Sequence, residues 1–199
     1  MFTGIVETTG KLASKKTRGK VTRLRFRVEG IQEDMKLGDS LACDGVCLTV
    51  VDFGPNFIEV DVVGATLKAT SLGEFSRRRL NFERSLRLSD RLGGHWVQGH
   101  VDGVGTIVRK VKKGKNVEIQ IKAEPKIIHE LVSKGSIAVN GISLTIQSLD
   151  SNVFTIAIIP HTLARTNMSD FKKGSKVNLE VDILSKLVTR SVRKILTGF

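Results

Sequence analysis

Apolar and polar residues alternate with a period of two along much of the chain, which is typical of β-strands that bury one face. Residues 21–28 and 116–122 follow this alternation closely. Further stretches are rich in β-branched residues and are also predicted as strands: 40–52, 57–63, 137–149 and 153–159. Glycines punctuate these segments, so the pattern predicts an all-β fold of small closed or nearly closed barrels.

Helical signals are confined to a few segments. Pro125 at a first turn and Gly135 beyond a last turn favour a short helix between them. Residues 66–72 and 162–168 each have room for a helical turn.

The C-terminal region has a different pattern. Apolar residues recur at helical spacing over 183–196, and basic residues occupy the other side. Asp182 stands at the N-cap position and Gly198 at the C-terminal cap. The spacing leaves open whether this helix packs on its own barrel or joins one chain to another.

The strand pattern occurs twice. With an offset of 96 residues, Gly45 aligns with Gly141 and Leu48-Thr49 with Leu144-Thr145. More pairs extend the match: Ser40 with Ser136, Ala42 with Ala138, Asn56 with Asn152, Thr66 with Thr162, Thr70 with Thr166 and Phe75 with Phe171. Residues 81–83 also match 178–180, and 3–6 match 98–101, with small shifts. A period this long indicates a duplicated domain, which predicts two homologous domains, 1–95 and 96–182, and a C-terminal helix over 183–199.

The formal net charge is +12, which would suit an anionic partner. Basic residues cluster in 15–20, 77–79 and 109–115, and glycine in two of these clusters indicates solvated hairpin tips. Aromatic residues make up only 5% of the chain, so the stacking surface of a single-strand binder is not evident. Solvated loops explain the charge better than a nucleic-acid partner, and we expect none.

The sequence predicts a cytoplasmic chain without membrane association. No apolar run is long enough to cross a bilayer, and the first residues lack the features of a signal peptide. The two cysteines, Cys43 and Cys47, lie four residues apart and do not suggest a disulfide framework. A reducing compartment fits this usage.

Two pairs of residues are candidates for chemistry. Cys47 and Thr49 share one face of a predicted strand because they lie two apart, and so do Ser143 and Thr145. A glycine two residues before each pair permits close approach of a ligand. The pairs fit the floors of two similar pockets, although a buried Cys and a strand Thr are also ordinary structural residues.

Other classes of site have little support. Cys43, Cys47, His95 and His100 match no familiar zinc spacing, so we predict no metal site. The glycine-rich segments lack the Gly-Lys-Ser/Thr of a phosphate loop, and a Gly-x-Ser-x-Gly elbow is absent. His100, next to Gly99, is either a half-exposed strand histidine or a site residue.

Five motifs together resemble the riboflavin synthase family (the alpha-type chain, built from lumazine-binding barrels). They are MFTGIVE at 1–7, GVCLT at 45–49, GGHWVQGHVDG at 93–103, NGISLT at 140–145 and IPHTL at 159–163. The likeness covers essentially the whole chain, and the set is far more specific than any one motif.

The resemblance implies two tandem six-stranded antiparallel β-barrels and a C-terminal helix that joins three chains into a homotrimer. Each barrel would bind one 6,7-dimethyl-8-ribityllumazine. A four-carbon unit would pass from one lumazine to the other, which yields riboflavin and 5-amino-6-ribitylaminouracil in the last step of riboflavin biosynthesis. In the family no metal or organic cofactor takes part, and the active site pairs an N-terminal barrel with the C-terminal barrel of a neighbouring chain.

The resemblance also implies particular site residues. Those that match catalytic positions are Ser40, Cys47, His100, Ser143, Thr145 and Asp182. The first pocket would be lined by Gly4, Ile5, Val6, Cys47, Leu48, Thr49, Asp61, Val62, Val63, Gly64, Ala65 and Thr66. The second would be lined by Ser143, Leu144, Thr145, Ile158, Ile159, Pro160, His161, Thr162 and Leu163, with Gly99, His100, Val101 and Lys134 near the junction.

A duplicated fold suits a reaction whose two substrates are the same molecule. The copies must then diverge, since one lumazine donates and the other accepts, and Cys47 opposite Ser143 is such a divergence. We hypothesise that Cys47, or a water beside it, adds at the acceptor ring, while His100 and Ser143 transfer protons.

The chain departs from the family pattern in two places, and alternatives remain. Residues 74–80 differ from the second repeat, and Val63-Gly64-Ala65-Thr66 replaces a Glu-Thr or His-Thr pair. The nearest alternative is a non-catalytic lumazine- or flavin-binding antenna protein, in which the Cys-Leu-Thr, Ser-Leu-Thr or Gly-His positions are expected to change. A basic tandem-barrel nucleic-acid binder is more distant, and association with a lumazine synthase shell stays open.

Overall fold

The computed structural model describes residues 1–73 and 78–197. They form two closed six-stranded antiparallel barrels and a C-terminal helix, which confirms the predicted fold class. Gly198, the predicted C-terminal cap, lies outside the described residues, as do Phe75 and most of the divergent segment 74–80.

The first barrel closes in the order β1-β2-β5-β4-β3-β6. Strand β1 pairs with both β2 and β6, so the sheet has no free edge. A short helix, α1 (Gly64–Ala69), and a 3₁₀ turn at Ser71–Gly73 follow β5. The strands are β1 Thr8–Arg18, β2 Val21–Arg27, β3 Ser40–Cys43, β4 Val46–Gly54, β5 Phe57–Val63 and β6 Leu80–Arg84.

The second barrel repeats this strand order. Helix α2 (Pro125–Ile128) carries Pro125 in its first turn, as predicted, and α3 (Pro160–Arg165) corresponds to α1. A 3₁₀ turn at Asn167–Asp170 follows α3. The strands are β7 Gly103–Lys113, β8 Asn116–Lys122, β9 Ser136–Val139, β10 Ile142–Asp150, β11 Val153–Ile158 and β12 Lys176–Val181.

Two predicted long strands are in fact hairpins. Residues 40–52 divide into β3 and β4, and 137–149 divide into β9 and β10. The turns are Asp44-Gly45 and Asn140-Gly141, and all four residues have positive φ angles. Asp-Gly and Asn-Gly favour the tight turn in which both central residues are left-handed. The β-branched composition of each stretch concealed this signal.

Each barrel buries a separate apolar core. In the first barrel Leu24, Phe26 and Phe82 are fully buried, with the rings of Phe26 and Phe82 edge-to-face at 5.2 Å. Ile119, Ile121 and their neighbours fill the second. The basic hairpin tips at Gly19 and Gly114 are exposed, as the sequence predicted.

The two barrels contact each other through their matching turns, Asp44-Gly45 and Asn140-Gly141. A Cβ on Gly45 would lie 2.6 Å from the backbone N of Gly141, and one on Gly141 would lie 2.8 Å from the N of Gly45. Such distances exclude any side chain at either position. The two copies are therefore related by an approximate twofold axis through this contact.

Buried amides bridge the barrels on both sides of the turn contact. The side-chain nitrogen of Asn81 donates to the carbonyl oxygen of Asn140 at 2.9 Å, and that of Asn178 donates to the carbonyl oxygen of Asp44 at 2.8 Å. These two bonds are equivalent under the repeat. Because a buried polar group is costly when unpaired, they fix one relative arrangement of the barrels.

Segment 85–102 connects β6 to β7, and the predicted domain boundary at 95 falls within it. Phe2 and Val97 form an isolated antiparallel bridge. Both side chains are buried with Ala42 and Ala138 in a small apolar cluster between the barrels. The N-terminus is thereby attached to the connecting segment.

The C-terminal helix α4 spans Ile183–Thr197, as predicted, and Asp182 caps it by accepting the backbone N–H of Leu184 at 3.0 Å. Lys186 on its polar side pairs with Asp102 at 2.6 Å. The apolar side is exposed instead of packed on the barrel. Among the described helices, none has both the length and the apolar character needed to cross a membrane.

Replacing Gly45 by Ala tests the turn contact. We expect the free energy of unfolding to fall by about 2 to 4 kcal/mol, because the new Cβ meets backbone atoms of Gly141 and the left-handed φ adds strain. Urea denaturation measures this loss. Gly19→Ala is the matched control, since Gly19 also has a positive φ but nothing within 4 Å of its Cβ position, and should cost about 1 kcal/mol. Equal losses would contradict the packing argument.

Candidate active site

The two candidate strand motifs occupy equivalent places in the barrels. Leu48 and Leu144 are buried in the cores. Cys47 and Thr49 therefore face the opposite side of β4, where Cys47 is half-buried and Thr49 exposed. Ser143 is half-buried and Thr145 exposed in the same way on β10.

The ends of β5 and β11 lie beside these motifs. Val50 pairs with Val60 in the β4–β5 hairpin, so the start of β4 and the end of β5 share one end of the barrel. Ile146 pairs with Ile156 in the second copy. The predicted lining segments 61–66 and 158–163 are thus adjacent to Cys47–Thr49 and Ser143–Thr145, respectively.

Within these segments the two copies show the same exposure. Val62 and Ile158 are buried, and Thr66 and Thr162 are half-buried. Three residues on this rim are exposed along with their partners in the repeat: Val63 with Ile159, Gly64 with Pro160 and Ala65 with His161. Leu163 packs against the second core.

The segments before β1 and β7 are exchanged between the barrels. The backbone N of Cys47 donates to the carbonyl oxygen of Gly99 at 2.8 Å, and that of Ser143 donates to the carbonyl oxygen of Gly4 at 2.8 Å. A Cβ on Gly99 would lie 2.5 Å from Cβ of Cys47. Glycine is required at both crossings because the backbones approach so closely.

This exchange corrects the grouping inferred from the sequence. Gly4 lies on the second motif, and Val6 is buried in the second core. Val101 packs against the first core. Residues 4–6 therefore belong beside Ser143, and residues 99–101 belong beside Cys47, because each segment leaves its own barrel before its first long strand begins.

His100 and Ile5 occupy equivalent positions after the two crossing glycines, and both side chains are exposed. The first motif thus has an imidazole nearby where the second has an aliphatic side chain. Ser40 pairs with Thr49 across β3 and β4, which brings its hydroxyl to the same end of the barrel.

Three other predicted residues have clear structural roles. Asp61 forms a two-point ion pair with Arg23, with both hydrogen bonds at 2.8 Å, and this pairing lowers the pKa of Asp61. Asp182 caps α4. Lys134 has a φ of 68° in the turn before β9, and its Nζ lies 3.4 Å from the carbonyl oxygen of Gln147.

Two buried carboxylates hold the crossing segments. Glu83 accepts the backbone N–H groups of Thr3 at 2.7 Å and Gly4 at 3.1 Å. Glu180 accepts those of Gln98 at 2.7 Å and Gly99 at 2.9 Å. Sequence reasoning did not identify these residues as site elements, although they lie in the repeated segments 81–83 and 178–180.

A third feature was also missed. Nδ1 of the buried His95 lies 2.7 Å from Oγ of Ser143. The sequence marks residues 93–103 only as a family motif, and it marks His95 only as one of four residues that match no familiar zinc spacing. The structure instead joins it to a predicted catalytic hydroxyl. Within 1–73 and 78–197, no cluster of three or more His, Cys, Asp or Glu residues could hold a metal ion.

A cleft of about 770 Å³ opens next to the crossing segment 3–6. Its walls include Ser40 from the first barrel and Ile5 and Gly93 from the other side. This volume is in the range of small-ligand pockets. Neither Cys47 nor Ser143 lines it; both are half-buried, and Thr49 and Thr145 beside them are exposed in the single chain.

The comparisons with known proteins agree with this architecture. The family model described as "Lumazine binding domain" matches the chain twice, at residues 3–85 and 98–182. The riboflavin synthase of Bacillus subtilis (strain 168) is 45% identical over 195 residues, which are 98% of this chain and 91% of that protein. The chain belongs to the riboflavin synthase family.

Other members of the family extend the match. The riboflavin synthase of Actinobacillus pleuropneumoniae is 42% identical over 98% of this chain and 91% of its own length. That of Mycobacterium tuberculosis (strain ATCC 25618 / H37Rv) is 40% identical over 97% of this chain and 98% of its own length.

The solved structures support the fold. LumP in complex with 6,7-dimethyl-8-(1'-D-ribityl) lumazine superposes with a TM-score of 0.82 over 91% of this chain and 99% of that one. LumP in complex with riboflavin superposes with a TM-score of 0.84 over the same shares. Each is 24% identical to this chain, so the likeness establishes the double barrel alone.

The buried Glu180, which accepts the backbone N–H groups of Gln98 and Gly99, is predicted to make the stability of the chain depend on pH. Burial raises the pKa of Glu180 to about 7, although the amides of Gln98 and Gly99 and the charge of Lys186 oppose the shift. The folded chain therefore retains this proton to a higher pH than the unfolded chain, where the carboxyl has its ordinary pKa of 4.5. Its contribution to stability is complete below pH 4.5 and is lost as the pH rises through 7.

Urea denaturation of the wild type and of Glu180→Gln over a pH series measures this contribution. We expect the difference in unfolding free energy, wild type minus variant, to fall by on the order of 3 kcal/mol between about pH 4 and pH 8. Glu83 titrates in both proteins, so its contribution cancels. A difference that stays constant or grows with pH would rule out Glu180 as the titrating group.

Proposed function

We propose that the chain catalyses the dismutation of two 6,7-dimethyl-8-ribityllumazine molecules to riboflavin and 5-amino-6-ribitylaminouracil. The observation that carries this proposal is the pair of matched, exchanged sites, Cys47 with Gly99 and Ser143 with Gly4. Both motifs are intact in a chain that matches riboflavin synthases over nearly its full length. The alternative antenna role is less favoured, since LumP is only 24% identical.

Two copies of one pocket suit two copies of one substrate. One lumazine loses a four-carbon unit and becomes the diaminouracil, while the other gains the unit and becomes the flavin. Every atom of the two substrates is found in the two products. The reaction therefore needs no external oxidant or reductant, and its main requirement is to hold two rings in contact.

The proposed roles follow from the chemistry at each motif. Cys47, or a water beside it, adds at the ring of the acceptor, and His100 lies at the same pocket to exchange a proton with it. Ser143 transfers a proton in the other pocket. The hydroxyls of Ser40, Thr49 and Thr145 supply hydrogen bonds to the bound rings or to their ribityl chains.

We further propose that a complete active site forms between chains. Thr49 and Thr145 of the two motifs are exposed in the single chain, and α4 exposes an apolar stripe that its own barrel does not cover. Lys186 and Asp102 hold the polar side of α4 toward the second barrel, which directs the stripe outward. Three helices packed through this stripe would form a homotrimer in which an N-terminal barrel faces a neighbour's C-terminal barrel. The apolar stripe of α4 consists of Leu184, Leu187, Val188, Val192 and Ile195.

Two features stay predictions. The cytoplasmic location is predicted from the sequence pattern, and the absence of a cofactor is predicted from the resemblance; association with a lumazine synthase shell is an open alternative.

Incubating the purified chain with the lumazine tests the activity. We expect the visible absorbance of riboflavin to grow as substrate is consumed. Cys47→Ser and Ser143→Ala should each reduce kcat by about 10- to 100-fold, because each removes a group that takes part in addition or proton transfer. Ser148→Ala, an exposed change on the same strand as Ser143, is the control and should keep the full rate.

The outcomes separate the alternatives. Stable binding of the lumazine without turnover would favour the antenna protein. Full rates in both Cys47→Ser and Ser143→Ala would contradict the assigned roles. Affinity for RNA that falls steeply with salt would support the nucleic-acid binder instead.

Placing a charge in the helix stripe tests the assembly. Val188→Glu should convert the trimer to monomers, since a carboxylate at the centre of an apolar interface is strongly unfavourable. Light scattering measures the mass of each species. Lys194→Glu introduces the same side chain on the polar side of α4 and should remain trimeric. A monomeric wild type, or a trimeric Val188→Glu, would contradict the proposed interface.

A further inference from the structure

The two pockets differ in the surroundings of their aligned residues. Nδ1 of His95 lies 2.7 Å from Oγ of Ser143. Ser143 of the second motif is half-buried, and only 7% of His95 is exposed. Over the described ranges 1–73 and 78–197, the thiol of Cys47 has no equivalent side-chain hydrogen bond.

The backbone on both sides holds the imidazole in place. The N–H of His95 donates to the carbonyl oxygen of Thr3 at 3.1 Å, and the Phe2–Val97 bridge follows directly. Gly94 approaches so closely that a Cβ there would collide with the carbonyl oxygen of Thr3 and lie 2.8 Å from Cβ of Ser143. Because these contacts fix the main chain, the ring has little freedom to leave Ser143.

The second ring nitrogen of His95 makes no hydrogen bond among the described residues that could compete with the one to Ser143. Nε2 of His95 is buried and, among the described residues, has no hydrogen-bond partner. The hydrogen bond to Ser143 is therefore the one that orients the ring. Burial lowers the pKa of His95, and the carboxylate of Asp182 opposes this shift, so the imidazole is neutral near neutral pH. A neutral ring with its proton on Nε2 accepts the O–H of Ser143 at Nδ1.

We propose that His95 acts through Ser143, by orienting its hydroxyl and taking up its proton, and that this pair makes the second pocket the site where the reacting methyl group of the bound lumazine loses its proton. This inference rests on the proposed function and adds a division of labour between the pockets. Cys47 lacks such a partner, so the first pocket receives the resulting carbon nucleophile.

The proton transfer balances within the groups present. The methyl C–H bond breaks, and its electron pair remains on the lumazine ring system. Its proton passes to Oγ of Ser143 while the hydroxyl proton of Ser143 moves to Nδ1 of His95. The carboxylate of Asp182 stabilises the imidazolium that forms. Reversal of these steps returns a proton later in the cycle, so His95 and Ser143 end unchanged.

Steady-state kinetics of His95 variants test the proposal. His95→Ala should lower kcat by about 10- to 100-fold with KM nearly unchanged, because it frees the Ser143 hydroxyl without removing a substrate contact. His95→Asn should stay at least about 10-fold slow, because its amide lies near the Nδ1 position and can bond Oγ but cannot take up the proton. His95→Gln should be slow for the same reason. The exposed His129→Ala is the matched control and should keep the wild-type rate.

A double-mutant cycle adds a second readout. In a Ser143→Ala background, His95→Ala should cost less than about twofold, because the group that it positions is already gone. Independent losses that multiply would overturn the proposal. So would a loss confined to KM, or a His95→Ala or His95→Asn enzyme with the wild-type kcat. If His95→Ala does not fold, His95→Asn still decides the question.

The wild-type assay separates this inference from the proposed function. If the wild type forms no riboflavin, the proposed function fails. If the wild type turns over normally and the His95 variants do so too, only the role of His95 fails.

Discussion

The close contact between the Asp44-Gly45 and Asn140-Gly141 turns determines the rest of the arrangement. Because neither glycine leaves room for a side chain, the two hairpins meet backbone to backbone. This brings the starts of β4 and β10 to the junction, and Cys47 and Ser143 follow just beyond it. The segments before β1 and β7 then cross to the opposite barrel and rest on these motifs. The lack of space for a side chain at Gly45 and Gly141 thus determines where both sites lie.

Duplication explains the symmetry of the site, and small differences explain how it can use two identical substrates. Each crossing segment is held by a buried glutamate, Glu83 or Glu180, through two backbone N–H groups. The two segments place different side chains next to the motifs. Residues 99–101 bring His100 to the first motif, while residues 4–6 bring only Ile5 to the second. The second motif instead has His95 behind Ser143.

The architecture could be predicted from the sequence because the sequence patterns that indicate it are periodic or local. Alternation gave the strands, the offset of 96 residues gave two domains, and Asp182 marked the start of α4. The strand motifs were recognisable as paired candidates for the same reason. The exchange of Gly4 and Gly99 could not be predicted in this way, since a period-two pattern shows which face a residue occupies but not which barrel its segment packs on. The bond from His95 to Ser143 joins residues 48 positions apart, and no local pattern reports such a contact.

Co-expression of two slow variants tests the central claim, that the unequal pockets of different chains combine into one active site. Cys47→Ser and Ser143→Ala chains with different tags would be purified together through both tags, and their turnover compared with that of each variant alone. A site formed between chains joins an intact Cys47 to an intact Ser143 in the mixed assembly, so the account predicts that a substantial share of wild-type activity returns. Activity no higher than the mean of the two variants would contradict it.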